Sequence, residues 1–216
     1  DISDARVSWD DRSQAKHYIV EQLNLQTGAV APGEPVELAL SMVLHSKEPA
    51  AKANIDLEAV VAIDEGAGIV ELSGIKLTLE GQSDALPDGS IEAVLEATVK
   101  MAVNGDSLEV AGLNLAIGDL KLTGALTGSA LTTTPTVNGN LQLAEFNLRQ
   151  WMTDQGVTTP PMAESQALTR VSASLVLENK AGATRLDDLK FGLDDTRIDG
   201  TATLRGEAVA FKVNVD

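Results

Sequence analysis

The sequence predicts a mainly β protein: a long, curved antiparallel β-meander, groove-like or partly closed, with one or two short helices around residues 147–169. Three observations predict it. Stretch after stretch alternates apolar and polar residues with a period of two, the spacing that sends side chains to opposite faces of a strand. Only short turns separate these stretches, whereas parallel strands need crossovers of a dozen or more residues. A six-residue phrase, apolar-x-x-apolar-x-apolar, also recurs at Val20–Leu25, Leu72–Leu77, Val110–Leu115 and Leu186–Phe191, with a fifth copy at Leu143–Leu148. The last three residues of the phrase alternate, but the pair before them breaks the parity. Such a break inside a strand is the mark of a β-bulge, which bends a sheet and raises its twist.

Residues 5–26 read as an opening hairpin with Asp10-Asp11-Arg12-Ser13 as its turn. Pro32-Gly33-Glu34-Pro35 cannot lie in a central strand and marks the start of the next one, where Val36, Leu38, Leu40, Met42 and Leu44 share a face. Ile55, Leu57, Ala59, Val61 and Ile63 repeat the pattern as far as Asp64-Glu65-Gly66, and the second copy of the phrase follows. Residues 91–103 alternate most regularly and predict a strand of roughly 40 Å at about 3.3 Å per residue. Asn104-Gly105 predicts a type I′ hairpin, and Gly118-Asp119 turns the chain again.

Thr127 to Thr136 is small, hydroxyl-rich and uncharged, and reads as a long loop or a weak edge. The fifth copy leads into a helix: Asn147 suits the N-cap, Leu148, Trp151 and Met152 lie at i, i+3 and i+4, and Gly156 suits C′. Pro160-Pro161 stops it, and Glu164 to Thr169 is expected to add a further turn. Four strands close the chain, at Val171–Leu177, Leu186–Phe191, Ile198–Leu204 and Val209–Val215, for about thirteen in all. The copies of the phrase are spaced irregularly, which fits a meander with insertions rather than a strict solenoid. Residues 1–216 read as a single domain.

The chain of 216 residues is 44% hydrophobic but only 3% aromatic, so its apolar surface is aliphatic. It offers few flat rings for a sugar or a base to stack on, which argues against a lectin or a single-strand nucleic-acid binder. Thirty-two acids against 16 Lys and Arg give a net charge of −16, and that field repels nucleic acid and anionic membrane surfaces. The simplest reading of the acids is that they form the solvent faces of many strands. With no cysteine there is neither a disulfide nor a thiolate metal site. No apolar run reaches 18 residues. The chain opens at Asp1 in strand-like text, so an excised fragment is expected, with any membrane anchor or targeting signal outside it.

Catalytic motifs are sparse. His17 and His45 fall in strand-like text at no metal-ligand spacing, there is no G-x-S-x-G, and Gly66-Ala67-Gly68 reads as a turn rather than a dinucleotide loop. The acid pairs Asp10-Asp11, Asp64-Glu65, Asp187-Asp188 and Asp194-Asp195 stand at turns or bulges, where Asp bonds to nearby backbone; none has the EF-hand spacing. Neither a cofactor nor an enzymatic step is expected.

Phe146-Asn147-Leu148-Arg149-Gln150-Trp151-Met152, then Gly156, Pro160-Pro161 and Glu164-Ser165-Gln166-Ala167-Leu168, resembles a stretch of the periplasmic region of the bacterial AsmA family. There a strand ending in Phe-Asn runs into a short helix, a Gly-Pro linker and an Asp-Pro-x-Ala-Leu phrase; Glu164-Ser165 departs from that phrase. Leu186–Leu189 with Asp195–Gly200 is similar to the family's recurring strand pair, and Ala5–Asp11 with Leu23-Asn24-Leu25 and Gly28 to its opening hairpin. The resemblance implies a periplasmic β-groove protein of outer-membrane biogenesis, anchored in the inner membrane by a segment outside this chain, that carries phospholipid and meets other envelope proteins.

Bulged strands with one aliphatic face suit a trough for acyl chains, because each buried methylene contributes about 0.8 kcal/mol without directional demand. The candidate lipid-facing residues are Ile55, Leu57 and Val61; Ile91, Leu95, Val99 and Met101; Leu113 and Leu115; and Leu175 and Leu177. The opposing reading closes these faces into a sandwich core. An alternative function is a structural or adhesive β domain that associates through strand edges, with Thr127 to Thr136 as the expected edge.

Overall fold

The computed structural model describes all residues except 12–15, 32, 87–88, 160, 162–163, 165–166, 181 and 206–207. Thirteen strands follow one another: β1 (Ile2–Asp11), β2 (Lys16–Thr27), β3 (Val36–Lys47), β4 (Ala50–Asp64), β5 (Ile69–Ser83), β6 (Ser90–Ala102), β7 (Ser107–Ile117), β8 (Leu120–Ser129), β9 (Thr136–Phe146), β10 (Val171–Lys180), β11 (Ala183–Leu193), β12 (Thr196–Arg205) and β13 (Ala208–Val215). Among the described residues one helix, α1 (Leu148–Asp154), stands between β9 and β10.

All thirteen strands form one antiparallel sheet in sequence order, so every hydrogen-bonded neighbour in space is a neighbour in the chain. The sheet does not close: β1 and β13 are its edges. Among the described residues each strand packs mainly against its two neighbours, with no second layer over either face. The aliphatic alternation therefore does not build a sandwich core. Among the described residues only Ala59, Ala97, Phe146 and Val171 are buried apolar residues, and no large side chain is fully enclosed. The accessible surface is 13,886 Å², against about 9,500 Å² for a compact protein of this mass. Backbone ladders and lateral contact between side chains on the same face hold the molecule together.

The parity breaks are bulges. Register slips at Gln22 in β2, at Gly74 in β5, at Gly112 in β7 and at Asp188 in β11. In each of these copies the residue before the second apolar position has positive φ: 52° at Gln22, 58° at Gly74, 61° at Gly112 and 46° at Asp188. The fifth copy also slips register, with Ala144 and Glu145 together opposite Ser172 of β10, but without a positive φ.

Several local expectations change. Val103 lies outside β6 and is 64% exposed. The following turn is not type I′: Gly105 N–H donates to Ala102 O at 2.8 Å, and of the two central residues neither Val103 nor Asn104 has positive φ; Gly105 itself takes φ 72°. That is a type I turn followed by a left-handed glycine. Thr127 to Thr136 is not a sheet edge. It spans the end of β8, a turn and the first residue of β9, both internal strands, and the Asp106 carboxylate accepts from the Thr132 hydroxyl at 2.8 Å across that turn.

The helix forms as its sequence directs. The Asn147 side chain accepts from Gln150 N at 2.8 Å. At the other end Gly156 N–H reaches Thr153 O and Val157 N–H reaches Met152 O, a Schellman closure with Gly156 at φ 63°. Among the described residues of 164–169 there is a turn and no second helix, with Ala167 N–H donating to Glu164 O. The opening hairpin's turn and Pro160 lie, in whole or part, outside the described residues.

Candidate functional site: an uncovered aliphatic face

The strand registers assemble the apolar positions into continuous rows that run across the sheet. One row takes a single residue from every strand: Ile2, Leu25, Leu40, Leu57, Leu77, Leu95, Leu115, Leu122, Leu143, Ala173, Phe191, Ile198 and Val215. Eight of these in succession, from Leu25 to Leu143, are leucine. At about 4.8 Å between strands the row extends roughly 58 Å. A second row, Val36, Val61, Leu72, Val99, Val110, Leu126, Gly139, Leu177, Leu186, Ala202 and Phe211, runs beside it from β3 to β13.

The repeated phrase is the device that links the rows. In β5, β7 and β11 its first residue (Leu72, Val110, Leu186) lies in the second row and its last (Leu77, Leu115, Phe191) in the first. The bulges at Gly74, Gly112 and Asp188 therefore fall in one line between the rows, a crease at which successive strands bend. Ala59 and Ala97, 5% and 8% exposed, sit opposite this crease, and neighbouring side chains of the same sheet shelter them.

All eleven candidate lipid-facing residues stand on this face. Leu57, Leu95 and Leu115 are in the first row; Val61, Val99 and Leu177 are in the second. Ile55 pairs with Met42 and Leu79, Ile91 with Gly81, and Met101 with Val70 and Leu108. Leu113 faces Gly124, and Leu175 faces Leu141. Ten of them are half-buried, and Met101 is 40% exposed. Sequence reading missed the cross-strand rows themselves. Alternation says which residues share a face within a strand, but the register that aligns Leu57 with Leu77 and Leu95 depends on where each turn and bulge falls.

It also missed the glycines of this face. Leu126 lies over Gly139 and Leu141 over Gly124, leaving no room for a Cβ at either position. The pairing of large with absent side chains lets β8 and β9 keep a smooth aliphatic surface.

One end of the face is occupied by α1. Trp151 Nε1–H donates to Ile117 O at 2.9 Å, and its ring meets Phe146 edge-on with centroids 6.3 Å apart. The segment after the helix is tied down separately. The Asp194 carboxylate accepts the backbone N–H groups of Leu168 at 2.7 Å, Thr169 at 2.9 Å and Arg170 at 3.1 Å, and the Thr169 hydroxyl at 3.2 Å. These donors, the Leu168 amide foremost, hold its pKa below the ordinary carboxylate value. Arg170 pairs with Asp195 at 2.6 Å.

The opposite face is hydrophilic. Cross-strand partners set Glu58 beside Lys76 and Lys76 beside Glu96, with Glu96 accepting from the Asn114 amide at 3.1 Å. Glu71 pairs with Lys100 at 3.4 Å, and Glu21 lies 3.4 Å from both Arg6 and His45. Among the hollows that open on this side, one of about 610 Å³ includes Gln142, Ser172, Ser174, Lys190 and Arg197, and one of about 460 Å³ includes Gln26, Glu37 and Glu58. Both are open to solvent; the first mixes Glu145 and Asp199 with Lys190 and Arg197, whereas the only charges of the second are Glu37 and Glu58. The acid pairs serve turns and bulges: Asp64 accepts from Ala67 N at 2.8 Å, Asp187 pairs with Arg185 at 2.7 Å, and Asp188 is the bulge residue. Among the described residues no group of three or more His, Asp or Glu side chains is placed to hold a metal ion, and no helix is long and apolar enough to cross a membrane.

Comparison with protein families, with curated proteins and with solved structures finds no match to this chain.

Proposed function

We propose that this protein carries the acyl chains of phospholipid, or of another acyl lipid, on its uncovered aliphatic face, with no enzymatic step. The observation that carries this reading is the unbroken row of thirteen apolar residues, one per strand, in a sheet that no second layer of described residues covers. Monomeric soluble proteins rarely leave more than a few hundred Å² of contiguous apolar surface exposed unless it binds something. An aliphatic lining with few aromatics takes saturated chains without fixing their position, at about 0.8 kcal/mol per buried methylene, while the headgroup stays in water. The crease at Gly74, Gly112 and Asp188 supports a trough, and α1 stands at one end of it.

The resemblance of its sequence to the AsmA family supports a role in outer-membrane biogenesis. In that reading the chain is periplasmic, tied to the inner membrane by an anchor outside these residues, and meets other envelope proteins there. The net charge of −16 argues against nucleic acid as a ligand.

Mass spectrometry of the purified protein, and of protein incubated with phospholipid vesicles and re-isolated, tests the proposal. Bound phospholipid is expected, and Leu95→Glu combined with Val99→Glu, one residue from each row, is expected to remove it while the far-UV CD spectrum is retained. Protein that stays lipid-free after incubation overturns the reading.

A further inference from the structure

The aliphatic face holds no charge of its own over most of its length. From β3 to β8 every residue that shares the face of Leu40, Leu57, Leu77, Leu95, Leu115 and Leu122 is uncharged. A phosphate above the middle of this face meets no Lys or Arg on it, so the fixed charges that a bound headgroup reaches are those at the strand ends. From Ile91 to Met101 the face is about 33 Å long at about 3.3 Å per residue, and one lipid chain spans roughly 15 Å, half of a bilayer core. A chain laid along a strand from the middle of the face therefore brings its headgroup to the turns.

Those turns are acidic at both ends of the strands. The seven connections between β2 and β9 contain seven Asp and Glu and no Lys or Arg. Successive connections alternate between the two ends, which sets Glu48, Asp84 and Asp119 at one end and Glu34, Glu65 and Asp106 at the other. Turn chemistry explains Asp106, whose carboxylate is engaged by Thr132. It does not explain Glu34, Glu48, Glu65, Asp84 and Asp119, which form no ion pair among the described residues. Lys47, the last residue of β3, shares the phase of Glu37 and His45 and belongs to the hydrophilic face.

We propose that the lipid taken by this face is a phospholipid whose headgroup carries an ammonium group, as phosphatidylethanolamine does, in preference to one of net negative charge such as phosphatidylglycerol. The inference rests on the reading of the face as an acyl-chain carrier and adds the headgroup to it. An ammonium group at a strand end stands among carboxylates that have no cation of their own, and they attract it. The uncompensated negative charge of phosphatidylglycerol is repelled by the same groups, with no Lys or Arg in these turns to receive it. At 0.1 M salt such forces reach about 10 Å, so they act on headgroups at the turns and leave the chains unaffected. Both ends carry the same sign, and the preference holds whichever end a headgroup faces.

Vesicles of phosphatidylethanolamine and phosphatidylglycerol in equal amounts, with identical acyl chains, test this. They present both headgroups on one surface, so repulsion of the whole protein from that surface favours neither. The intact chain is incubated with them and re-isolated, and its bound lipid is quantified by mass spectrometry. Phosphatidylethanolamine is expected in several-fold excess at low salt, with the excess shrinking toward equality at high salt. Glu34→Lys, Glu48→Lys, Glu65→Lys and Asp84→Lys together, all at exposed positions, are expected to abolish or invert the preference. The salt dependence of the wild type decides the matter without the variant. Equal recovery of the two lipids by the wild type, or an excess of phosphatidylglycerol, overturns this inference and leaves the acyl-chain reading standing, whereas uptake of neither lipid overturns both. A preference unchanged by salt also overturns it, because these carboxylates would not be its source.

Discussion

Trp151 and Ile117 are joined by one hydrogen bond, indole Nε1–H to main-chain carbonyl at 2.9 Å, and 34 residues separate them. It fastens α1 to the far end of β7, across the turn that begins β8. The helix is only seven residues long; isolated helices of that length are not stable in water, so its persistence depends on this docking.

Trp151→Phe is expected to keep the edge-on contact with Phe146 and lose the hydrogen bond, at about 1 kcal/mol. Trp151→Ala loses both, at about 2 kcal/mol, and frees the segment. Hydrogen exchange at the amides of Arg149 to Gln155 distinguishes the two, since only the alanine variant is expected to bring that segment near unprotected rates.

Asp194 gives the protein an acid-sensitive joint. Because its folded-state pKa is depressed by the amides of residues 168–170, its contribution to stability is fully present above about pH 4 and fades as pH falls through the lower folded value. Thermal melts across this acidic range are expected to show a loss of stability that Asp194→Asn flattens. If both proteins lose stability in parallel, the carboxylate is not the source.

At Gly139 a Cβ would stand 2.6 Å from Ala125 O and overlap the Leu126 side chain. Backbone cannot yield as a flexible side chain does, so Gly139→Ala is expected to cost about 2–3 kcal/mol, read by denaturant unfolding with the slope unchanged.

Gly74 and Gly112 make a different test, since a Cβ on either meets nothing within 4 Å. The expense of alanine there is conformational alone, at about 1–2 kcal/mol for each left-handed position. The two bulges lie on separate strands with β6 between them, so the double variant is expected to lose about the sum. Gln22 and Asp188 hold the same conformation without glycine, which bounds the strain as tolerable.

On the hydrophilic face Glu80 and Glu92 are direct cross-strand partners. Glu92→Lys turns a like pair into an opposite one and is expected to stabilise by about 0.5 kcal/mol, less at high salt. A melt at two ionic strengths checks both statements.

The strand count, the bulge positions and the helix with its caps were legible in the sequence because each depends on local chemistry: alternation, a parity break, Asn147 before the helix, Gly156 after it. The candidate face was legible strand by strand for the same reason. What local pattern cannot reveal is whether a second layer covers that face, since Leu95 alternates identically in a sandwich and in a single sheet. The turn at Asn104 misled because the same dipeptide serves a two-residue turn and a longer loop, and flanking pairing decides between them. The Asp194 joint was invisible because its donors lie 24 to 26 residues upstream.

Contact restricted to chain neighbours also makes the molecule close to one-dimensional in its energetics. Each hairpin's stability adds to that of the next, and no distant strand reinforces it, so unfolding can start at either rim and peel inward. Amide exchange is therefore expected to slow steadily from β1 and β13 toward the long central pairs β4, β5 and β6. Every pairing is local in sequence, so the chain can zip from any turn without closing a large loop first.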